Sequence, residues 1–245
     1  MKITDVKLSF AKHYLFVHIY TDEGIVGLGE AGNWGHLMAT AEAIKKFSTW
    51  LIGKDPSRID DIGQNLYRSL YFRGSVIMSA ISAIDIALWD IKGKKLGVPV
   101  YELLGGKTRD KVRVYASPMT KETDPESLKK GYKDLKDQGF TAAKVFVNGP
   151  VKSECGGRDE FYCGRVEDEL EKIAMIREAV GMDFDIIMEA HRGMTMPEAI
   201  AFGRAAEKYR PMVFEDPITP DNIDSMAEVA SKIAVPIATG ERFIN

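Results

Sequence analysis

"YRPMVFEDPITP", residues 209–220, joins a short apolar segment to two acidic residues and a proline. Met212–Phe214 has the pattern of a strand buried in a parallel sheet, and Pro217 prevents that strand from continuing. Glu215 therefore stands at the end of a buried strand. A buried carboxylate is costly unless it is paired with a positive charge or bound to a metal, so Glu215 needs a partner elsewhere in the chain.

This strand is one of a regular alternation of strands and helices that begins at about residue 112. Such alternation is typical of parallel strands joined by right-handed crossovers, either in a doubly wound sheet or in a barrel. No glycine-rich nucleotide-binding fingerprint follows the first strand, which weakens the doubly wound alternative. The predicted strands are Val112–Ala116, Ala142–Val147, Phe184–Glu189, Met212–Glu215 and Val235–Thr239.

Three glutamates, Glu189, Glu215 and Glu241, follow predicted strands at equal intervals of 26 residues. Because one strand–helix unit has this length, each glutamate should hold the equivalent position in its own repeat. In a parallel barrel they would lie side by side at the C-terminal rim, where barrel active sites lie. Their like charges would repel one another unless a cation lay among them. Oxygen ligands without cysteine favour Mg²⁺, with Mn²⁺ as a substitute, so we predict a metal site here.

Two further residues should project from the same rim. Lys144 lies near the end of the second predicted strand, inside an otherwise apolar segment. His191 follows Glu189 by two residues, and side chains two apart in a strand point to the same face. We therefore predict that both residues take part in the chemistry at the metal site.

The first 111 residues follow a different pattern. "KITDVKLSFA", "YLFVHIYT" and "GIVGLGEA" alternate apolar and polar residues as strands do, and "DEG" joins the last two as in a hairpin. From about residue 38 the apolar residues recur at the three- and four-residue spacing of helices. The longest predicted helix ends near Gly97, with Pro99 beyond it as a stop signal. The sequence therefore predicts a compact α+β domain over residues 1–111 and a second domain over residues 112–245.

Composition excludes several classes of function. The chain has 245 residues, 45% of them hydrophobic, and a net charge of −3, which gives no electrostatic reason to bind nucleic acid or an anionic membrane. No apolar run approaches the roughly 20 residues that span a bilayer. The N-terminal stretch "MKITDVKLSF" has no signal-peptide core, so we expect a cytoplasmic protein. Cys155 and Cys163 cannot build a four-ligand zinc site by themselves, and we expect no disulfide between them.

The stretch "AISAIDIALWDIKGKKLGVPVYELLGG", residues 80–106, resembles a motif of the mandelate racemase and muconate-lactonizing branch of the enolase superfamily. The resemblance extends over the whole chain and includes the order of the three glutamates. It implies an α+β capping domain followed by a (β/α) TIM-type barrel. It also implies a shared first step, in which a base removes the proton α to a substrate carboxylate and Mg²⁺ stabilises the enediolate.

Branches of this superfamily differ in their acids and bases. Racemizing and lactonizing members resemble "KxK" on the second strand, whereas this chain has "KVF", with Phe146 in place of a second lysine. "EAHRGM" resembles the pattern of sugar-acid dehydratases, particularly those of galactonate and gluconate. The resemblance implies that His191 is the acid that protonates the departing β-hydroxyl and that Lys144 adds positive charge near the substrate. The first metal ligand is commonly aspartate in the superfamily and is Glu189 here.

The capping domain implied by the resemblance should provide a lid over an aldonate substrate. "GEAGNWGH", residues 29–36, and "YFRGS", residues 71–75, are the candidate lid loops. Trp34 and His36 in the first loop, and Arg73 in the second, are the predicted substrate contacts. Since members of this family are often symmetric assemblies, we also expect a homo-oligomer.

The barrel should be incomplete in this chain. A closed eight-stranded barrel takes about 250 residues, but only 133 residues follow residue 112, and these contain five predicted strands. We therefore expect a barrel truncated after about five strands, without the histidine base that the family carries on a later strand. Two alternatives to an aldonate dehydratase stay open: a non-catalytic fragment of such an enzyme, and a racemase or cycloisomerase of the same superfamily.

Overall fold

The computed structural model of the chain describes residues 1–69, 71–118, 124–147 and 162–244. These residues pack as two units, Met1–Lys111 and Val112–Phe243. The position of Cys155 lies outside the described residues, as does the side chain of Cys163, so the prediction about the two thiols is untested. Among the described residues, no helix is both long enough and apolar enough to cross a membrane.

The first unit contains an antiparallel sheet of three strands in chain order. Its central strand buries Leu15, Val17 and Ile19 on one face, which is the alternation that predicted a half-buried strand. The three predicted strands are confirmed as β1 (Ile3–Ala11), β2 (Tyr14–Thr21) and β3 (Val26–Ala31).

Four helices follow this sheet along the chain. The longest of them ends, as predicted, at Gly97, which adopts the left-handed conformation with φ of 69°. The last helix is short and was not predicted, because four residues carry too little periodicity to be recognised. The helices are α1 (Leu37–Leu51), α2 (Ile59–Arg68), α3 (Ser75–Leu96) and α4 (Val100–Leu103).

Helix α3 covers the free edge of β3. The carboxylate of Asp90 accepts the backbone N–H of Leu28 at 2.8 Å, and Lys94 Nζ donates to the carbonyl of Val26 at 2.7 Å. Asp90 and Lys94 also pair with each other at 2.7 Å. An uncovered strand edge exposes unpaired backbone groups, so these side chains explain why charged residues occur inside the motif of residues 80–106.

The second unit contains a four-stranded parallel sheet with strands in chain order. Helices pack on one face of it, where Val145, Met188 and Phe214 are fully buried. The alternation predicted from the sequence is confirmed for these elements. They are α5 (Pro125–Asp137), β4 (Ala142–Phe146), α6 (Tyr162–Val180), β5 (Asp185–Glu189), α7 (Met196–Ala206), β6 (Val213–Glu215), α8 (Ile223–Lys232) and β7 (Ile237–Ala238).

The predicted first strand of this unit, Val112–Ala116, is wrong. Only Ala116 pairs with the sheet, through a single parallel bridge to Ala143. Val112 and Val114 are 71% and 64% exposed, so the described structure buries too little of their apolar surface to hold an extended strand. Nearby, the Arg113 side chain donates to the Thr141 carbonyl at 2.9 Å in place of a backbone ladder.

One buried side chain holds the opposite, N-terminal end of the sheet. Arg177 of α6 is 9% exposed, and its guanidinium donates to the carbonyls of Gly181, Phe184 and Tyr209 at 2.6–2.9 Å. These carbonyls lie in the segments that precede β5 and β6. A single cation therefore fixes where two strands enter the sheet.

Replacing Arg177 with methionine should destabilise the second unit by roughly 3 kcal/mol, because three carbonyls would lose a charged donor. Urea unfolding followed by circular dichroism measures the change. Arg204→Met is the matched control, since Arg204 donates to one carbonyl, that of Lys232, from an exposed position. Equal stabilities of the two variants would contradict the role given to Arg177.

Candidate functional site

Two of the predicted metal ligands meet at the C-terminal edge of the parallel sheet. Glu189 ends β5 and Glu215 ends β6, and the two residues are direct partners in the register of these strands. Residues paired in register share a face of the sheet, and this face is the one opposite to the helix-covered core. Glu189 is 4% exposed, so its carboxylate lies in the kind of environment where a free charge would be costly.

Lys144 supplies a positive charge to both carboxylates. Its Nζ lies 2.8 Å from Oε2 of Glu189 and 2.9 Å from Oε2 of Glu215. Lys144 pairs in register with Ile187, two residues before Glu189, so its side chain extends along the sheet towards the C-terminal edge. The structure therefore brings Lys144, Glu189 and Glu215 together.

Burial and the neighbouring charges act in opposite directions on the pKa values of Glu189 and Lys144. Burial raises the pKa of Glu189 to about 7, and the neighbouring Glu215 carboxyl adds to the rise, whereas Lys144 and the backbone N–H of His191 lower it. Burial alone would lower the pKa of Lys144, but its hydrogen bonds to the two glutamates outweigh burial and hold the pKa above its ordinary value. Lys144 is therefore a fixed cation at neutral pH.

His191 lies directly beyond the end of β5. Its backbone N–H donates to Oε1 of Glu189 at 2.6 Å, so the residue helps to orient the proposed ligand. The backbone of His191 has a φ of +46° and that of Arg192 a φ of +57°, values that are uncommon outside glycine and that occur frequently at functional sites. Because the strand has already ended, alternation no longer fixes the direction of the imidazole, which is exposed.

Glu241 does not hold the position that equal spacing suggested. The register partner of Glu215 on β7 is Ala238, so Glu241 lies three residues further along, in a turn after the strand. The unit between β6 and β7 is shorter than the one before it, which shifts the register. The carboxylate of Glu241 faces Arg192, with 3.9 Å between Oε1 and Nη1.

Arg192 is a residue that the sequence interpretation missed. Besides facing Glu241, it donates its backbone N–H to the carbonyl of Asp216 at 2.6 Å, which ties the end of β5 to the end of β6. The only sequence signal was its position directly after His191. A charge in a loop is usually solvated, so that signal was weak.

The carboxylate groups of Glu189 and Glu215 are chemically suited to bind a divalent cation. Two carboxylates converge on one positive charge, and carboxylate oxygens are the ligands that Mg²⁺ prefers. No group of three histidine, cysteine, aspartate or glutamate side chains within the described ranges is already arranged to hold a metal ion. Glu241 would have to turn from Arg192 towards the other two glutamates to complete a three-carboxylate site.

The other predicted site residues lie in the first unit. Trp34 is 85% exposed and stacks on His13, with 5.7 Å between ring centroids. His36 precedes α1, and its carbonyl accepts the backbone N–H of Thr40 at 3.0 Å. Arg73 lies over the ring of Tyr67 at 4.0 Å. All three are exposed, and their role as substrate contacts stays a prediction.

Comparison with protein families matches both parts of the chain. Residues 4–105 match the model described as the N-terminal domain of mandelate racemase / muconate lactonizing enzyme. Residues 128–245 match the model described as enolase C-terminal domain-like. The two matches follow each other in the order that the sequence resemblance implied.

The chain is also similar over its whole length to individual members of the enolase superfamily and to D-galactonate dehydratases. A D-galactonate dehydratase from Pectobacterium atrosepticum is 39% identical over 247 residues, which cover 100% of this chain and 63% of that protein. A member of the enolase superfamily from Salmonella Typhimurium has a TM-score of 0.90 and 34% identity, covering 98% of this chain and 67% of that one. An enolase from Pantoea ananatis, with bound D-gluconate and Mg, has a TM-score of 0.89 and 30% identity, covering 100% of this chain and 66% of that one.

Proposed function

We propose that this chain, which belongs to the mandelate racemase and muconate lactonizing enzyme family of the enolase superfamily, carries the metal site and the acid of a Mg²⁺-dependent sugar-acid dehydratase. The observation that supports the proposal most is the cluster of Lys144, Glu189 and Glu215 at the C-terminal edge of the sheet. The substrate class comes from the relatives, which include D-galactonate dehydratases and a structure with bound D-gluconate. Assembly into a homo-oligomer stays a prediction.

Glu189, Glu215 and Glu241 would hold the cation. When bound, Mg²⁺ would offset the negative charge that develops beside the substrate carboxylate as the α-proton is removed. Lys144 would add a fixed positive charge close to the same carboxylate. The base that takes the α-proton is not assigned to any residue of this chain.

His191 would complete the elimination as the general acid. After the α-proton leaves, the bond from the β-carbon to its hydroxyl breaks, and the imidazolium of His191 gives a proton to that oxygen so that it departs as water. The remaining enol then becomes a 2-keto-3-deoxy acid. The backbone of His191 is fixed to Glu189 by its N–H, which would keep the acid beside the metal site.

Charge at the site favours an anionic substrate. Three proposed ligand carboxylates, opposed by Lys144, Arg192, the protonated acid His191 and a divalent cation, would leave the site with a net positive charge of two. An aldonate carries one negative charge at neutral pH, so substrate binding would offset part of this charge. This balance supports a sugar monoacid over a neutral sugar.

Dehydration of a panel of aldonates, including galactonate and gluconate, tests the proposal with and without Mg²⁺. Any formation of a 2-keto-3-deoxy acid should require Mg²⁺, and His191→Asn should lower its rate by about 10²–10⁴-fold because the leaving hydroxyl loses its proton donor. His18→Asn is the control, since His18 is bonded to Ser9 within the first unit. Full activity of His191→Asn would contradict the assigned role.

A non-catalytic piece of such an enzyme is the second candidate, because the chain spans about 63% of the length of the curated relatives it matches. The same assay separates the two candidates. Turnover of an aldonate by this chain supports the dehydratase. Cation binding without turnover of any aldonate supports the non-catalytic candidate.

A further inference from the structure

The ammonium of Lys144 uses the same two carboxylates that we propose as metal ligands. Its distances to Oε2 of Glu189 and Oε2 of Glu215 are 2.8 and 2.9 Å, and its side chain is only 12% exposed. The second oxygen of Glu189 accepts the backbone N–H of His191. Both oxygens of that carboxylate are therefore already engaged by the protein.

From this geometry we infer that Lys144 is an internal competitor for the divalent cation, which displaces its ammonium from Glu189 and Glu215 in order to bind. The inference deepens the proposed function and rests on it, because it takes these two glutamates as ligands. Mg²⁺ requires its oxygen ligands at about 2.0–2.1 Å in nearly octahedral geometry. An ammonium in contact with the same two oxygens occupies that space, and two cations so close together repel.

The displaced ammonium needs a new partner. Lys144 is anchored in β4, and its stem is mostly covered, so the charged end stays near the C-terminal edge of the sheet. A poorly solvated charge is costly without a counter-ion, and the carboxylate of a sugar acid would provide one. Lys144 then couples two binding events: the cation frees the ammonium, and the ammonium binds the anion. Such coupling is reciprocal, so each ligand should raise the affinity for the other.

Site-resolved acetylation of the wild-type chain tests the displacement directly. Lysines are labelled briefly with an acetylating reagent and quantified by mass spectrometry, first with a chelator, then with Mg²⁺, and finally with Mg²⁺ and D-gluconate. We expect labelling of Lys144 to rise several-fold with Mg²⁺ and to fall again when gluconate is added. Lys136 is the internal reference, because its ammonium pairs at 2.6 Å with Asp183, which lies at the opposite end of β5 from Glu189. The labelling of Lys136 should be the same under all three conditions.

Substitution of Lys144 tests the competition. Lys144→Met should bind Mn²⁺ more tightly than the wild type by about tenfold, the equivalent of roughly 1.4 kcal/mol, whereas Lys144→Arg keeps the competing charge and should show no gain. The electron paramagnetic resonance of free Mn²⁺ measures both affinities. Labelling uses only the wild type, so it decides the question even if Lys144→Met fails to fold.

Two results would overturn the inference. If Mn²⁺ binds to the wild type but Lys144 stays equally protected from labelling, the displacement is wrong and the metal site survives. If neither the wild type nor Lys144→Met binds Mn²⁺, both the inference and the proposed metal site are wrong. The two failures are therefore distinguishable.

Discussion

Replacing Gly29 with alanine should strongly destabilise the first unit. The added methyl group would overlap the backbone carbonyl oxygen of Ala83 on α3 and would lie 2.9 Å from its carbonyl carbon. Because the obstacle is backbone rather than a flexible side chain, β3 and α3 would have to separate, and the cover of the β3 edge by Asp90 and Lys94 would be lost. We expect a loss of more than about 3 kcal/mol in the free energy of unfolding.

Gly63→Ala is the matched control for this prediction. Gly63 lies inside α2, and in the described part of the chain no atom beyond the backbone of its own helix lies within 4 Å of the place where its methyl group would stand. Alanine is favoured over glycine in a helix interior by about 0.5–1 kcal/mol, so this variant should be slightly more stable than the wild type. Thermal unfolding followed by circular dichroism compares the three proteins. A Gly29→Ala protein as stable as the wild type would show that α3 does not lie against β3 as described.

Loss of either inner carboxylate should have the largest effect on cation binding. In Glu189→Gln and Glu215→Gln the charged oxygen that faces Lys144 becomes part of a neutral amide. Changing a residue that merely supports a ligand already costs about 10–100-fold in metal affinity. Loss of either of these two ligands, which already lie together at the edge of the sheet, should therefore cost at least about 100-fold. Isothermal titration with Mn²⁺ measures the loss.

Glu241→Gln should be less severe, about tenfold, because Glu241 lies beyond the register position and is half exposed beside Arg192. Glu228→Gln is the control. Glu228 lies on α8 of the same unit and pairs with Lys232 at 3.8 Å, so its loss should leave Mn²⁺ affinity unchanged. If Glu215→Gln binds Mn²⁺ as tightly as the wild type, Glu215 is not a metal ligand and the proposed site is wrong.

The sequence predicts that Glu189 and Glu215 lie side by side because strand periodicity is a local property, whereas their role as metal ligands stays a prediction. Apolar segments that end in Glu189 and Glu215 identify two buried strands, and parallel strands bring their ends to the same edge of a sheet. The register of β5 and β6 agrees with this expectation, since Glu189 and Glu215 are direct partners. Lys144 is found for a similar reason, since a charged residue inside an apolar strand needs a counter-ion nearby.

Other features of the structure could not be predicted from the sequence, because they depend on long-range contacts rather than on the spacing of residues. The position of Glu241 depends on how β7 aligns with β6, and a shorter connection moves that alignment by three residues. The missing strand at Val112–Ala116 depends on burial, because residues with strand propensity form a strand only when a neighbour covers them. Arg177 satisfies three carbonyls from two separate segments, those that precede β5 and β6, and periodicity carries no information about such long-range contacts.

The position of a bound Mn²⁺ ion in a crystal of this chain tests the central claim most directly. The anomalous signal of manganese locates the ion without reference to the protein. We predict one peak at the C-terminal edge of the parallel sheet, in contact with the carboxylates of Glu189 and Glu215, with the ammonium of Lys144 moved away from both. A peak elsewhere on the surface, with Lys144 still bridging the two glutamates, would contradict the proposed metal site.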